Sequence, residues 1–156
     1  RGSRLIVDTS GPALFHLAEQ PRESLYVLRM NGEEGEELAR RPLPTREDTA
    51  AFARSLIDKG VARIVIVARG ADGSVMATSD GAWHGVSPPV PIISKVGAGD
   101  SFVGGFTLDL SRDRPVDECL RTGVAAASAA TMTEATRLCD PELTAQQRRD
   151  CVITKL

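Results

Sequence analysis

The sequence predicts an α/β protein with a largely parallel sheet, because strand-like and helix-like segments alternate along its first half. A predicted hairpin and further helices follow in the second half. The apolar segment 61–68 carries only one charged residue, Arg63, which is typical of a strand buried on both faces of a parallel sheet. The length of 156 residues is enough for one domain with a substantial hydrophobic core.

The composition excludes several classes of protein. Because the 19 Lys and Arg residues are nearly balanced by 21 Asp and Glu residues, no electrostatic attraction to nucleic acid or to a membrane surface is expected. A hydrophobic content of 42% is too high for a disordered chain. No signal peptide and no membrane-spanning run is evident, so a cytoplasmic protein is expected. Cys119, Cys139 and Cys151 form no Cys-x-x-Cys pair and are expected to be free thiols.

Each element follows from a local pattern. Strands are expected where β-branched residues run together, and helices where apolar residues recur every three or four positions. Thr45, with Asp48 three residues later, starts a helix with a capping-box pattern, and Gly60 ends that helix. The expected strands are 4–8, 25–28, 61–68, 74–78, 82–86 and 92–95, and the expected helices are 12–18, 31–37, 45–59, 101–110, 114–131 and 141–155.

A sheet built from these strands would end on an apolar strand, 5–7 or 25–28, that has a neighbour on one side only. Natural proteins normally cover such an edge, because its unpaired amides and carbonyls can pair with another chain. This edge therefore predicts homo-oligomerisation.

The strongest chemical signal is the segment 96–106, where glycines precede a small-residue helix. Gly97 and Gly99 would let backbone amides approach an anion closely, and the helix dipole adds positive charge there. Asp100 would repel a phosphate unless it faces the other reactant, which is where a general base belongs. In the alternative interpretation, Asp100 only caps the helix and the glycines only permit a tight turn.

Other candidate residues have simpler explanations. The segment is neither a Walker A loop nor a dinucleotide-binding fingerprint, because the required Lys and third glycine are missing. His16 and His84 pair with no nucleophile in sequence and are expected to be surface or hydrogen-bonded core residues. Trp83 and Phe102 are expected in the core.

The segment 94–106, the Ala-rich run 123–130 and the tetrapeptide 136–139 together resemble the PfkB family of ribokinase-like carbohydrate kinases. The resemblance extends upstream through 8–11, 31–34 and 70–73 in the order that the family uses. It implies a three-layer α/β/α fold with a mostly parallel sheet. Within the family the chain is most similar to ATP-dependent 6-phosphofructokinases, and next to 1-phosphofructokinases and tagatose-6-phosphate kinases.

The resemblance also implies roles for individual residues. Asp100 would be the catalytic base, in front of an anion hole formed by Gly97, Ala98 and Gly99. Asn31 and Glu34 would hold Mg²⁺ largely through water, whereas Glu34 alone would suggest only a solvated acidic face. The remaining nucleotide-binding residues would be Arg29, Gly70, Gly73, Ala126, Ala127 and Ala130, and K⁺ ligands would come from Ser94, Val96, Ala130 and Arg137.

For several of these residues an ordinary structural role is the alternative. Gly70 and Gly73 could be plain turn glycines, and the alanines could serve close helix packing. The chain also departs from the family pattern at four positions. Arg29 replaces a common lysine, Ala68 replaces a Ser or Thr, and Thr133 and Ala135 replace Asn and Gly.

The resemblance implies that residues 1–156 correspond to the C-terminal, nucleotide-binding part of a kinase, without the sugar-binding part and its lid. The expected function is phosphoryl transfer from MgATP to a sugar phosphate, with fructose 6-phosphate as the first candidate. A 1-phosphofructokinase or tagatose-6-phosphate kinase is one alternative, and a non-catalytic nucleotide-binding or assembly module is the other.

Overall fold

The computed structural model of the chain describes residues 3–21, 24–135, 137 and 139–156. They form two compact units, one of residues 1–84 with 155–156 and the other of residues 85–154. The strands are β1 (Ile6–Asp8), β2 (Leu25–Met30), β3 (Ala62–Ala68), β4 (Ser74–Thr78), β5 (Gly81–Val86) and β6 (Val152–Lys155). The helices are α1 (Gly11–Glu19), α2 (Gly32–Ala39), α3 (Arg46–Asp58), α4 (Ala98–Ser111), α5 (Val116–Thr131) and α6 (Pro141–Asp150).

The six strands lie side by side in chain order. β1, β2 and β3 are parallel, with Val27 opposite Ile6 on one side and Ile64 on the other. β3 and β4 are antiparallel, so the sheet is mixed: parallel where it starts and antiparallel from β4. The predicted α/β class is confirmed. β1 is the terminal strand, so of the two candidates for the sheet edge, 5–7 and 25–28, the first is correct, and Leu5 beside it is 58% exposed.

The core of the first unit forms around β3. Every residue of this strand is buried or half-buried except Arg63, as its apolar sequence predicted. Phe52 and Leu56 of α3 belong to the same buried cluster as Val65 and Val67. The α3 start is also confirmed, since the Thr45 hydroxyl accepts from the Asp48 amide and the Asp48 carboxylate accepts from the Thr45 amide.

The second unit is built on close packing of α4 against α5. The Phe102 and Phe106 rings stack with their centroids 6.0 Å apart. A Cβ at Gly105 would lie 3.0 Å from the Thr122 carbonyl oxygen, and one at Gly123 would lie 3.0 Å from the Phe102 ring. These glycines therefore bring the two helix backbones together, and the burial expected for Phe102 is confirmed.

Two predicted elements are wrong. Residues 92–95 form a loop and not a strand, because the amides of Ile93 and Ser94 both donate to the Thr131 carbonyl at the end of α5. The last helix stops at Asp150, and the strand β6 follows. The Leu156 amide then donates to the Ala82 carbonyl of β5, a pairing that no local sequence pattern predicts.

None of the helices in the described part of the chain is long and apolar enough to cross a membrane.

Candidate functional site

The start of α4 is the centre of the candidate site in the second unit. Gly97 precedes the helix with φ +83°, a left-handed conformation that glycine adopts without strain. Its carbonyl accepts the first helical bond, from the Ser101 amide at 2.9 Å. No side chain caps this terminus, and within the described residues the amides of Gly99 and Asp100 find no acceptor. Within the predicted anion hole, the Gly99 amide is thus a free donor, whereas the Ala98 amide donates to the Lys95 carbonyl at 3.4 Å.

Asp100 lies in the first turn of α4 and not at its cap. The interpretation of Asp100 as the helix cap is therefore wrong. Its side chain is exposed, and it lines the same cavity as Gly97.

The cavity beside α4 has a volume of about 900 Å³ and is walled by α4, α5 and α6. Two linked hydrogen bonds lie on one wall of the cavity. Arg148 donates to the Thr122 hydroxyl at 2.8 Å, and that hydroxyl donates to the Asp109 carboxylate at 2.6 Å. Arg112 and Arg114 also line the cavity. No sequence pattern indicates this wall, because its residues are spread over three helices and belong to no motif.

The buried small residues of α5 serve close helix packing, which was the alternative to nucleotide binding for them. Ala126 is 1% exposed, and its Cβ lies 3.0 Å from the Cβ position of Gly105 on α4. Ala130 is also buried, whereas Ala127 is half-buried. Close helix packing explains the buried pair without a ligand, and their contact with adenine stays a prediction.

The residues expected at a K⁺ site lie in the loop before α4, at the end of α5 and in the segment that follows α5. The Ala130 carbonyl already accepts from the Thr133 amide at 3.2 Å and from the Thr133 hydroxyl at 2.9 Å. Ser94 uses its hydroxyl to accept from the Val96 amide. Arg137 is largely exposed. K⁺ binding through the Ala130 carbonyl would thus require Thr133 to turn away, while Thr136 and Leu138 of the same motif lie outside the described residues.

In the first unit, Asn31 and Glu34 interact with each other. The Asn31 side chain accepts from the Glu34 amide at 2.9 Å, and the Glu34 carboxylate accepts from the Asn31 amide at 2.7 Å. This capping box starts α2 and leaves the second carboxylate oxygen of Glu34 available. Such a donor set suits Mg²⁺ held through its water shell, since Mg²⁺ keeps several waters. Among the described residues no group of three or more His, Cys, Asp or Glu side chains could enclose a metal directly.

Arg29 was expected to reach the nucleotide, and the structure places it beside Asp8. The two residues face each other in the β1–β2 register, and Arg29 Nη1 lies 2.8 Å from Asp8 Oδ2. The Arg29 side chain is only 14% exposed. Its charge is therefore already partly neutralised, which weakens any pull on a phosphate.

Gly70 and Gly73 lie in the turn between β3 and β4. Both have positive φ, +61° and +78°, so each needs glycine whether or not a ligand binds. Asp72 accepts from Arg69 Nε at 3.0 Å and from both Nε and Nη2 of Arg46. Neither arginine was a candidate from the sequence, because Arg69 belongs to no motif and Arg46 lies 26 positions before Asp72.

The histidines and cysteines carry no nucleophilic site. His84 is 1% exposed and its Nε2 donates to the Asp72 carbonyl, while His16 is exposed, so both predictions are confirmed. All three cysteines are free, as predicted. Burial raises the pKa of Cys119 to about 11 and also raises that of Cys151, which keeps both as thiols at neutral pH.

Trp83 differs from the expectation of a core residue. Its ring is half-buried, and the Lys155 ammonium lies 5.8 Å from the ring centroid.

Comparisons with known proteins identify the family. The family model for pfkB family carbohydrate kinases matches residues 2–143. The chain is 39% identical over 139 residues to an ATP-dependent 6-phosphofructokinase isozyme 2 of Escherichia coli, covering 89% of this chain and 44% of that protein. It is 29% identical over 134 residues to a Bacillus subtilis 1-phosphofructokinase, covering 86% of this chain and 43% of that protein.

A solved structure shows the same fold. The crystal structure of E. coli phosphofructokinase-2 in complex with potassium matches with a TM-score of 0.85 and 37% identity, over 94% of this chain and 47% of that one. The expected ribokinase-like α/β fold is thereby confirmed. The chain spans less than half the length of the relatives that it matches here. With most of its length matched by the family model, the chain belongs to the pfkB family of carbohydrate kinases.

Proposed function

We propose that the chain forms the nucleotide-binding and catalytic part of an ATP-dependent phosphosugar kinase. The observation that carries this proposal is the start of α4, where free backbone amides and an exposed carboxylate lie within one helical turn. The membership of the chain in a family of carbohydrate kinases connects this geometry with phosphoryl transfer.

The chemistry assigns separate tasks to these groups. The sugar hydroxyl oxygen attacks the γ-phosphorus of ATP, its proton passes to the Asp100 carboxylate, and the bond to the β-phosphate oxygen breaks to release ADP. The amides of Gly97, Ala98 and Gly99, the proposed anion hole, stabilise the negative charge on the phosphoryl group in transfer. Mg²⁺, when bound, neutralises the phosphate oxygens. Asn31 and Glu34 would hold its water shell, and Ser94, Val96, Ala130 and Arg137 remain proposed K⁺ ligands.

The substrate that we propose first is fructose 6-phosphate. The higher identity to a 6-phosphofructokinase than to a 1-phosphofructokinase supports this choice. A panel of fructose 6-phosphate, fructose 1-phosphate and tagatose 6-phosphate, measured by sugar-dependent ADP release, distinguishes the three specificities. A chain that binds nucleotide but releases no ADP with any sugar phosphate would instead be a nucleotide-binding or assembly module.

The first test is calorimetric titration of the chain with a non-hydrolysable ATP analogue, with and without Mg²⁺. Light scattering and circular dichroism first establish that the protein is folded and free of aggregates. We expect binding that strengthens with Mg²⁺, because the β- and γ-phosphates carry charge that the protein amides only partly offset. A folded chain that binds no nucleotide under either condition would refute the proposed function.

A further inference from the structure

The loop 69–73, between β3 and β4, is held by charged side chains and not by apolar packing. None of its residues is buried, and Gly70 and Gly73 add backbone freedom. Three backbone hydrogen bonds close the turn: the Asp72 amide donates to the Arg69 carbonyl at 3.2 Å, the Gly73 amide to the Gly70 carbonyl at 3.1 Å, and the Arg69 amide to the Gly73 carbonyl at 2.7 Å. A loop without buried apolar contacts normally samples several conformations. Its shape must therefore depend on the side chains that tie it to its surroundings.

Arg69 ties the loop to the segment that starts α3. Its Nη1 donates to the carbonyls of Leu43 at 2.9 Å and Thr45 at 3.1 Å and to the Thr49 hydroxyl, and its Nη2 donates to the Pro44 carbonyl at 3.0 Å. Its Nε donates to Asp72. All three nitrogens of the guanidinium are thus engaged, and the side chain is 16% exposed. Arg69 is consequently a structural cation, with its Nε hydrogen, its Nη1 hydrogens and one Nη2 hydrogen donated to the protein itself.

Asp72 receives a second cation from α3. Arg46 donates to it through Nε, at 3.1 Å to Oδ1 and 3.2 Å to Oδ2, and through Nη2. The hydrogen bonds from Arg46 and then Arg69 lower the pKa of Asp72 to about 2, so its carboxylate remains charged at neutral pH. His84 supports the loop from β5 by donating to the Asp72 carbonyl. We call Arg46, Arg69 and Asp72 the loop clamp.

We propose that the loop clamp positions the Gly70–Gly73 turn for the nucleotide, so that Arg46, Arg69 and Asp72 are positioning residues of the kinase. This inference rests on the proposed function. The turn supplies the backbone that would run along the nucleotide, and the preceding Ala68 has no hydroxyl to add a hydrogen bond. When a turn is mobile, the ligand binds only the fraction of protein molecules whose turn has the competent shape, and the apparent affinity falls by that fraction. A pre-formed turn avoids this loss.

The test compares Asp72→Asn with Asp80→Asn by titration with a non-hydrolysable ATP analogue and Mg²⁺. Asparagine keeps the size of Asp72 but cannot accept from both arginines as a carboxylate does. If the turn holds the competent shape about a tenth of the time in Asp72→Asn, its Kd rises about tenfold. Asp80 is an exposed residue of the β4–β5 turn, so Asp80→Asn should bind like the unsubstituted chain. Asp72→Glu, which keeps the charge, should recover part of the affinity.

Amide hydrogen exchange separates positioning from general stability. In Asp72→Asn, exchange at the Asp72 and Gly73 amides should become faster, while exchange in β3 and the melting temperature stay close to those of the unsubstituted chain. Unchanged nucleotide affinity in a folded Asp72→Asn variant would overturn the inference. If that variant does not fold, Arg46→Gln replaces it, because Arg46 is 43% exposed and its loss leaves Arg69 bound.

The outcomes for Arg46→Gln are equally decisive. A severalfold weaker affinity with faster exchange at Gly73 supports the clamp, and unchanged values for both overturn it. If the unsubstituted chain itself binds no nucleotide, the proposed function fails. The exchange measurement then shows by itself whether the clamp holds the turn, and unchanged exchange in both variants would reject the clamp as well.

Discussion

The starts of α3 and α4 have opposite chemistry. At α3, Thr45 and Asp48 exchange hydrogen bonds, so side chains of the helix itself satisfy its first amides. At α4, Gly97 offers no side chain, and the amides of Gly99 and Asp100 find no acceptor in the described part of the chain. One terminus is complete within the protein, and the other retains donors for an external group.

A missing cap alone does not mark a site, since α1 and α5 also begin without a side-chain hydrogen bond. α4 differs because its first turn lines a large cavity and carries an exposed carboxylate. The contrast with α3 therefore shows that free amides at a helix start indicate a candidate site only when a reactive side chain and space for a ligand accompany them. α2 is intermediate, because its capping residues Asn31 and Glu34 are also the proposed magnesium residues.

The largest effect is expected for Asp100→Asn, which removes the base but leaves the amides of α4 in place. Turnover should fall about 10²- to 10⁴-fold, the usual contribution of a general base. Nucleotide affinity should change little. Sugar-dependent ADP release measures the first quantity and calorimetry the second. Asp117→Asn, in the first turn of α5, is the matched control. If the unsubstituted protein releases ADP with a sugar phosphate and Asp100→Asn does so equally fast, Asp100 is excluded as the base.

A smaller effect is expected for Glu34→Gln, which separates capping from metal binding at α2. Glutamine can still complete the capping box, so the melting temperature should stay nearly constant. The carboxylate charge is lost, and the Mg²⁺ concentration needed for nucleotide binding should rise about 10- to 100-fold, as for other residues that support a metal through its outer shell.

Titration of Mg²⁺ at a fixed concentration of the nucleotide analogue measures this change. Glu33→Gln, on the neighbouring exposed residue, should leave the Mg²⁺ requirement unchanged. If both variants shift it equally, Glu34 acts only through the general charge of the acidic stretch.

The smallest effect is expected for Thr45→Ala, which makes the start of α3 resemble that of α4 in lacking a side-chain cap. The free energy of unfolding should fall by about 1 kcal/mol, the usual cost of losing a threonine cap. Urea denaturation measures it. Ser10→Ala is the control, because Ser10 at the start of α1 makes no capping hydrogen bond. A similar loss in the control would mean that the cap of α3 contributes nothing specific.

Local sequence signals were sufficient where one segment determines its own structure. The capping box at Thr45, the apolar strand 62–68 and the glycine-led start of α4 were predicted, and all three are present. In each case the determining interactions lie within a few residues of one another. At the candidate site, the position of Asp100 in the first turn of α4 and the capping box between Asn31 and Glu34 were not predicted, because the start of α4 was expected at 101 and Asn31 and Glu34 were assigned to a metal.

Predictions failed where a partner distant in sequence decided the outcome. Residues 92–95 had a strand-like composition, but the amides of Ile93 and Ser94 bond to Thr131 and leave no strand partner. The ion pair between Arg29 and Asp8 was likewise not foreseen, because it arises from the parallel pairing of β1 with β2, and nucleotide binding by Arg29 stays a prediction.

The sequence by itself determined the fold class, the strand and helix order of the first unit, and the acid and glycines at the start of α4. Only the tertiary structure decided that Asp72 is held by Arg46 and Arg69, and that a cavity lies between α4, α5 and α6. The physical reason is the range of the interactions. Hydrogen bonds within one helical turn are encoded in neighbouring residues, whereas ion pairs and cavities depend on the packing of segments that the chain order separates.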